Sequence, residues 1–66
     1  MWRQIQLASG LRFEVELVRK EQGCAARAFG PLRDGEKPAE CAAEAAGSSF
    51  DAAEAALRKV LRKLFR

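Results

Sequence analysis

Residues 47–66 read "GSSFDAAEAALRKVLRKLFR" and carry the pattern of a capped amphipathic helix. Ser48 or Ser49 provides the hydroxyl of an N-cap, and Ser48 with Asp51 has capping-box spacing. Apolar side chains recur every three or four positions and form a stripe along one side. The stripe comprises Phe50, Ala53, Leu57, Leu61 and Leu64, with Val60 and Phe65 widening it. We therefore expect a helix that buries one face against another element.

The segment before this helix has the alternation of a small antiparallel sheet. Residues 11–17 alternate apolar and charged side chains, which is the period of a strand with one buried face. Residues 5–7 show a shorter version of the pattern, and a tight turn at residues 9–10 joins the two strands. A second turn at residues 22–23 leads into a returning strand at residues 24–29.

Two segments lie between the third strand and the helix. Residues 30–40 concentrate Gly, Pro and charged side chains, which predicts a loop. Residues 40–46 admit two interpretations, because Ala and Glu favour a helix whereas a helix that short is marginal before Gly47. A strand is the alternative. The pattern therefore predicts an α+β fold, either ββββα or βββα, with three or four antiparallel strands and one C-terminal helix packed on one face.

The length and cysteine content limit the remaining possibilities. A chain of 66 residues forms a single domain, 1–66, and buries only about 60% of its extended-chain surface. Self-association through an exposed strand edge is a common supplement for so small a core. We expect Cys24 and Cys41 to be reduced core residues of a cytoplasmic protein. We expect no signal peptide and no membrane-spanning segment, because no apolar run is long enough for either. We expect no structural metal, because the chain lacks histidine and two cysteines cannot complete a zinc site alone.

Catalysis finds little support in the residue types. The chain has no His and no Tyr, and no glycine-rich phosphate loop follows a strand. Glu14 and Glu16 share one face of the second strand, about 7 Å apart, but this pattern is also that of a solvated outer face. We expect no enzyme, no catalytic residue, no cofactor site and no metal site.

A basic cluster closes the chain. It comprises Arg58, Lys59, Arg62, Lys63 and Arg66, and no acid interrupts it. These residues form rows on the helix face away from the apolar stripe, at the end where the helix dipole favours cations. The first interpretation is a solvated face, the second a partner-binding surface and the third a nucleic-acid contact. Trp2 and Phe65 are interpreted as core-margin residues or dimer contacts.

The sequence resembles the HicB-like antitoxin family across roughly residues 11–62. The motif that opens the helix in that family is G-[D/S]-[T/S]-x-[E/D]-E-A. Its matches are Gly47, Ser49, Phe50, Asp51 and Ala53. Gly23 matches the glycine between two strands, and "FGPL" at residues 29–32 matches the F-P-x-L segment loosely. The resemblance implies that residues 40–46 form a strand.

In function, the resemblance implies a protein-binding module that pairs with a small RNase toxin and blocks it, or an orphan of unknown function. The sequence departs from the family at residues 33–38, where the loop is longer, and in lacking the second proline after the F-P-x-L segment. Family antitoxins often carry a further DNA-binding segment. We expect none here, since the chain ends at Arg66, and hence expect protein binding rather than operator binding.

Two other classes of function remain open. A small RNA-binding domain is one, because the strand order and residues 47–64 loosely resemble the second half of a double-stranded-RNA-binding domain. Phe50-Asp51 stands where that domain has paired lysines, and an acid faces phosphate poorly. A structural homodimer without a separate ligand is the other class.

Overall fold

The computed structural model describes residues 1–32 and 40–65, in which four strands precede one helix. The elements are β1 (Trp2–Gln6), β2 (Arg12–Lys20), β3 (Gly23–Phe29), β4 (Cys41–Gly47) and α1 (Phe50–Leu64). The strands pair antiparallel in chain order, and α1 packs on one face, mainly over β4 and β3. The predicted α+β fold is confirmed in its ββββα form. Residues 33–39 of the predicted loop, and Arg66, lie outside the described residues.

The turn between β1 and β2 is tight, as predicted from Gly10. The Gly10 N–H donates to the Leu7 carbonyl oxygen at 2.9 Å, and the Leu7 N–H donates to the Leu11 carbonyl oxygen at 2.8 Å. Gly10 has a φ of 95°, a conformation that residues with a Cβ adopt only at a cost. The turn sets the register in which Ile5 lies opposite Phe13.

The core lies between the sheet and α1, because each inner strand presents one apolar side. In β2, Phe13, Val15 and Leu17 are at most 1% exposed, and the residues between them are only half-buried. Burying a side chain of this size stabilises the fold by about 1.5–3 kcal/mol. The buried cluster comprises Ile5, Leu7, Phe13, Val15, Leu17, Cys24, Ala26, Ala28, Ala53, Leu57 and Leu61.

β4 resolves the two interpretations of residues 40–46, which form a strand. Ala43 lies opposite Ala28, and Ala45 lies opposite Ala26. These small side chains let α1 approach the sheet closely, so pairing and burial outweigh the helical preference of Ala and Glu. Ala28 pairs with Ala43, whereas the next residue, Phe29, pairs with Cys41. β4 therefore has one extra residue between these pairs, which forms a β-bulge near its start.

α1 begins after Ser49, one of the two predicted N-caps. The Ser49 hydroxyl oxygen accepts a hydrogen bond from the Ala52 N–H at 3.1 Å. Asp51 lies in the first turn, where the positive end of the helix dipole favours a carboxylate. Ser48 precedes the cap and does not form it.

Replacing Ser49 with Ala is expected to lower the free energy of unfolding by about 1 kcal/mol, because the Ala52 N–H loses its acceptor. Urea unfolding followed by circular dichroism measures this change. The matched control is Ser48→Ala, which leaves the cap intact and is expected to cost less than about 0.5 kcal/mol. Equal effects at the two serines would contradict the assigned cap.

Most of the predicted apolar stripe is confirmed. Its buried or partly buried members are Phe50, Ala53, Leu57 and Leu61, with Val60 beside them. The prediction for Leu64 is wrong, since its side chain is 59% exposed. The buried positions continue in steps of four from Ala53 to Phe65, whose ring lies 5.3 Å from that of Phe13. Leu64 lies about 100° away from Phe65 around the helix.

The two cysteines lie in different environments. Cys24 is 7% exposed and belongs to the core, as predicted. The prediction that Cys41 is a core residue is wrong, because its side chain is exposed. Cys41 begins an edge strand and lies opposite Phe29, beyond the bulge, so α1 does not cover it. Both side chains are free thiols.

Candidate functional site

The sheet face opposite α1 is covered by no other strand or helix of the described chain. Side chains alternate between the two faces along each strand, so the strand register assigns those on this face. One cross-strand row contains Trp2, Glu16, Arg27 and Glu44. We call this surface the open face. Its members are Trp2, Gln4, Gln6, Arg12, Glu14, Glu16, Val18, Lys20, Ala25, Arg27, Phe29, Glu44 and Ala46.

Two aromatic rings meet on the open face. The ring centroids of Trp2 and Phe29 are 5.7 Å apart, and the ring planes are inclined by 43°. Trp2 belongs to β1 and Phe29 to β3, whose backbones lie about 10 Å apart on either side of β2. Both rings therefore reach over β2. Phe29 is half-buried, whereas Trp2 is 58% exposed, so the pair presents a large apolar area to solvent.

Two glutamates lie on β2 beside this aromatic pair. Glu16 is opposite Trp2, and Glu14 is opposite Phe29. The prediction that Glu14 and Glu16 share the outer face is confirmed, although both are half-buried rather than fully solvated. Neither makes an ion pair or hydrogen bond with any part of the described chain. Two carboxylates that are unpaired within residues 1–32 and 40–65 therefore adjoin the rings.

This arrangement is suited to a positively charged side chain. A cation is attracted to the face of an aromatic ring, and a carboxylate beside the ring adds a charge-assisted hydrogen bond. Arg27 lies in the same row as Glu16, but its Nε contacts the Glu44 carboxylate at 3.2 Å. The site therefore fits a lysine or arginine of another molecule, with the alkyl stem on Trp2 and the charge beside Glu14 and Glu16.

The contact between Trp2 and Phe29 was not predicted from the sequence. The interpretation as core margin holds for Phe65, which is partly buried against the core. Trp2 instead lies on the opposite side of the sheet. The strand alternation contained a signal for it. Trp2 is an odd number of residues from the buried Ile5, and Phe29 is two residues from the exposed Arg27, so both aromatic residues belong to the exposed face of their strands. Aromatic residues at polar positions of two strands indicate an apolar patch on the outer face.

The basic residues predicted as a partner surface have different environments. Arg58 is half-buried, donates from Nη1 to the Gln6 carbonyl oxygen at 3.3 Å and lies 3.6 Å from the Glu54 carboxylate. Lys59, Arg62 and Lys63 are exposed on the side of α1 away from the sheet. Arg66 lies outside the described residues. The structure thus assigns Arg58 an intramolecular role and leaves three exposed cations together.

Arg3 links the first strand to the helix. Its Nη1 donates to Asp51 at 3.2 Å and to Glu54 at 3.3 Å. The hydrogen bond to Asp51, and then that to Glu54, raises the pKa of the Arg3 guanidinium above its ordinary value. Both carboxylates therefore favour the charged form of Arg3. This side chain points from the edge strand β1 toward the α1 side of the sheet.

A shallow cleft of about 530 Å³ lies at the end of the sheet where α1 begins. Its walls are Arg19, Lys20, Glu21, Gly23, Cys24, Ser48, Ser49 and Phe50. The guanidinium carbon of Arg19 lies 5.6 Å from the centroid of the Phe50 ring, which is a cation–π contact. This contact gives Arg19 a structural role in joining β2 to the first turn of α1.

Three general findings complete the description of the chain. Within residues 1–32 and 40–65, no three metal-ligating side chains lie together. In the same residues, α1 falls short of the length and apolarity needed to cross a membrane. Comparisons with protein-family models, with curated proteins and with solved structures gave no match for this chain.

Proposed function

We propose that this chain is a non-enzymatic protein-binding module of the HicB-like antitoxin type, which binds and blocks a small basic RNase toxin. One observation carries the proposal: the open face presents the exposed Trp2 ring, packed on Phe29, beside two carboxylates that form no ion pair with the described residues. The order of a strand at residues 41–47 followed directly by a capped helix, which the resemblance implies, adds support.

The aromatic pair has the properties of a binding anchor. Tryptophan is the residue type most enriched among those that dominate binding energy at protein interfaces. Leaving its ring in water forgoes the free energy that burial would supply. The contact with Phe29 restricts the directions that the indole can take, which lowers the conformational entropy lost on binding.

The charges next to the anchor favour a basic group at this point of the face. Glu14 and Glu16 lie beside the anchor, whereas Lys59, Arg62 and Lys63 lie beyond the helix on the other side of the molecule. The open face as a whole holds as many basic as acidic side chains, so the attraction for a cationic side chain is local to the anchor, and the back of α1 repels it. A cytoplasmic location accompanies this proposal, since both cysteines are free thiols.

The test is to co-express the chain with the product of the adjoining open reading frame and to measure the complex and RNase activity at moderate salt. Trp2→Ala is expected to weaken the complex at least about 30-fold, because the anchor is lost. The double variant Glu14→Gln, Glu16→Gln is expected to weaken it about tenfold, mainly through slower association. Both variants should restore RNase activity at concentrations where the unmodified chain inhibits.

Val18→Ala is the matched control, since Val18 is an exposed apolar residue of the same face that follows Glu16 along β2, on the side away from Phe29. It is expected to bind like the unmodified chain. A neighbouring gene that encodes no small basic RNase, or a complex insensitive to Trp2→Ala, would overturn the proposal.

A small RNA-binding domain is the second candidate, supported by the three exposed cations Lys59, Arg62 and Lys63. It predicts RNA binding that weakens as salt is added and is lost when these three residues are changed to Glu. The same triple variant should leave toxin binding intact if the partner occupies the open face. If charge reversal leaves every interaction unchanged, the cluster is only a solvated surface.

A further inference from the structure

The two edges of the sheet, β1 and β4, differ in how they are protected. In an edge strand, every second residue turns its backbone N–H and C=O groups away from the sheet, which creates a template for another strand. Proteins usually guard such an edge with charges that point inward, with lysine or proline, or by covering it. β1 has this protection, because Arg3 points to the helix side and Arg58 donates to the Gln6 carbonyl oxygen.

Within residues 1–32 and 40–65, β4 has no comparable protection. Its sequence, "CAAEAAG" at residues 41–47, contains no Lys, Arg or Pro. Its single charge, Glu44, contacts Arg27 of the neighbouring strand at 3.2 Å. The bulge affects only the first residues of the strand, so residues 43–47 form a regular edge. No described strand, helix or basic side chain therefore guards the backbone groups of this edge, which are flanked by small side chains.

One flank of α1 continues this edge into the helix layer. Glu54 and Arg58 lie on the side of α1 that faces β1, as their contacts with Arg3 and Gln6 show. The opposite flank lies on the β4 side, because α1 packs mainly over β4 and β3. At 100° per residue, the apolar side chains on that flank follow each other four positions apart. They are Ala52, Ala56, Val60 and Leu64, of which Leu64 is 59% exposed, and the exposed Lys63 borders them between Ala52 and Ala56.

We infer that β4 pairs antiparallel with β4 of a second copy of this chain, about a two-fold axis, and that the apolar flanks of the two helices meet above the joint. The sheet then runs through both copies with both helices on the same face. This is an isologous contact, in which the same surface meets itself and closes at two chains.

Charge restricts the register of this pairing. An axis at Glu44 would place the two Glu44 carboxylates directly opposite each other, and an axis at Ala42 would place Glu40 opposite Glu44. Like charges directly opposite are destabilising. An axis at Ala43 or at Ala45 avoids both clashes and pairs only small or neutral side chains with the acids.

The area of the contact is sufficient for a reversible dimer. β4 extends over about 24 Å, and the sheet and helix layers together present an edge about 20 Å high. Such a patch buries on the order of 500 Å² on each copy, or about 1,000 Å² in total, at the lower limit for specific association. We therefore expect a dissociation constant on the order of 100 µM.

Sedimentation equilibrium from about 10 µM to 1 mM tests this inference with a charge placed at the edge. Ala46 is exposed and lies opposite an acid of the second copy in both registers, Glu44 or Glu40. Ala46→Glu is expected to weaken the dimer about tenfold, because each dimer contains two such repulsive pairs. Ala46→Lys is expected to strengthen it by a similar factor, since each pair becomes attractive.

Ala55→Glu and Ala55→Lys are the matched controls, because Ala55 is exposed on the outer side of α1, away from the joint. Both are expected to leave the dissociation constant unchanged. A chain that stays monomeric at 1 mM overturns the inference. So does a dimer that responds equally to Glu and Lys at position 46, since its interface must then lie elsewhere. The oligomeric state is measured with this chain alone, so the result can be distinguished from success or failure of the proposed toxin binding.

Discussion

Leu57→Ala is expected to lower the free energy of unfolding by about 3 kcal/mol, whereas Leu64→Ala is expected to lower it by less than about 0.5 kcal/mol. Leu57 is 0% exposed and lies in the middle of the buried side of α1. Removing its side chain loses the transfer free energy and leaves a cavity against β3 and β4, which the rigid sheet cannot fill. Leu64, on the same helix, is 59% exposed.

The effect at Leu57 is large relative to the stability of so small a domain. A chain of this length has a free energy of unfolding of roughly 3–10 kcal/mol. Leu57→Ala therefore removes a third or more of the total and leaves a measurable unfolded fraction in the least favourable case. Urea unfolding at about 5 µM protein, where the inferred dimer is dissociated, measures both variants. Similar losses at Leu57 and Leu64 would contradict the position of α1 on the sheet.

Gly47→Ala is expected to destabilise the fold by about 3 kcal/mol, as overpacking does where no flexible neighbour can yield. A Cβ on Gly47 would lie 2.5 Å from the Ala53 backbone nitrogen and 2.6 Å from the Ala52 carbonyl carbon. Both atoms belong to the first turn of α1. Relief requires the helix to move away from β4, which reduces burial along its whole length.

Gly10→Ala is the matched control for Gly47→Ala. A Cβ on Gly10 would meet no atom within 4 Å, but the residue has a φ of 95°. The control therefore carries conformational strain without a clash and is expected to cost about 1–2 kcal/mol. Thermal and urea unfolding compare the two variants. If Gly47→Ala proves no more harmful than Gly10→Ala, α1 does not approach the strand as closely as described.

The local sequence pattern was sufficient to predict those strands and helices whose buried side chains recur at a single spacing. The alternation around Phe13 and Val15 predicted β2, and the serines before Phe50 predicted the start of α1. The conformation of residues 41–47 was ambiguous, because the helical preference of alanine is weak enough for tertiary contacts to override it. Only the pairing of this segment with β3 makes it a strand. Leu64 was wrongly predicted to be buried. The buried positions of α1 follow steps of four from Leu61 to Phe65, but the spacing of apolar residues in the sequence allowed a step of three to Leu64 equally well.

The open face was less accessible to prediction than the fold. Trp2 and Phe29 are far apart in the chain and meet only because β1 and β3 flank the same strand, which is a consequence of topology. The exposure of Cys41 likewise depends on β4 being an edge, a property of the whole sheet. Glu14 and Glu16 were placed on the outer face by their spacing alone, but the rings that partly cover them were not foreseen.

The chain-order arrangement of the four strands also affects how the protein folds. Each strand pairs with its neighbour in sequence, so most contacts close short loops and the entropy lost before they form is small. Proteins with such local connectivity fold rapidly, in about milliseconds or less. An intermediate with an uncovered sheet is then short-lived, and newly made chains spend little time in a state from which strands of different molecules could associate wrongly.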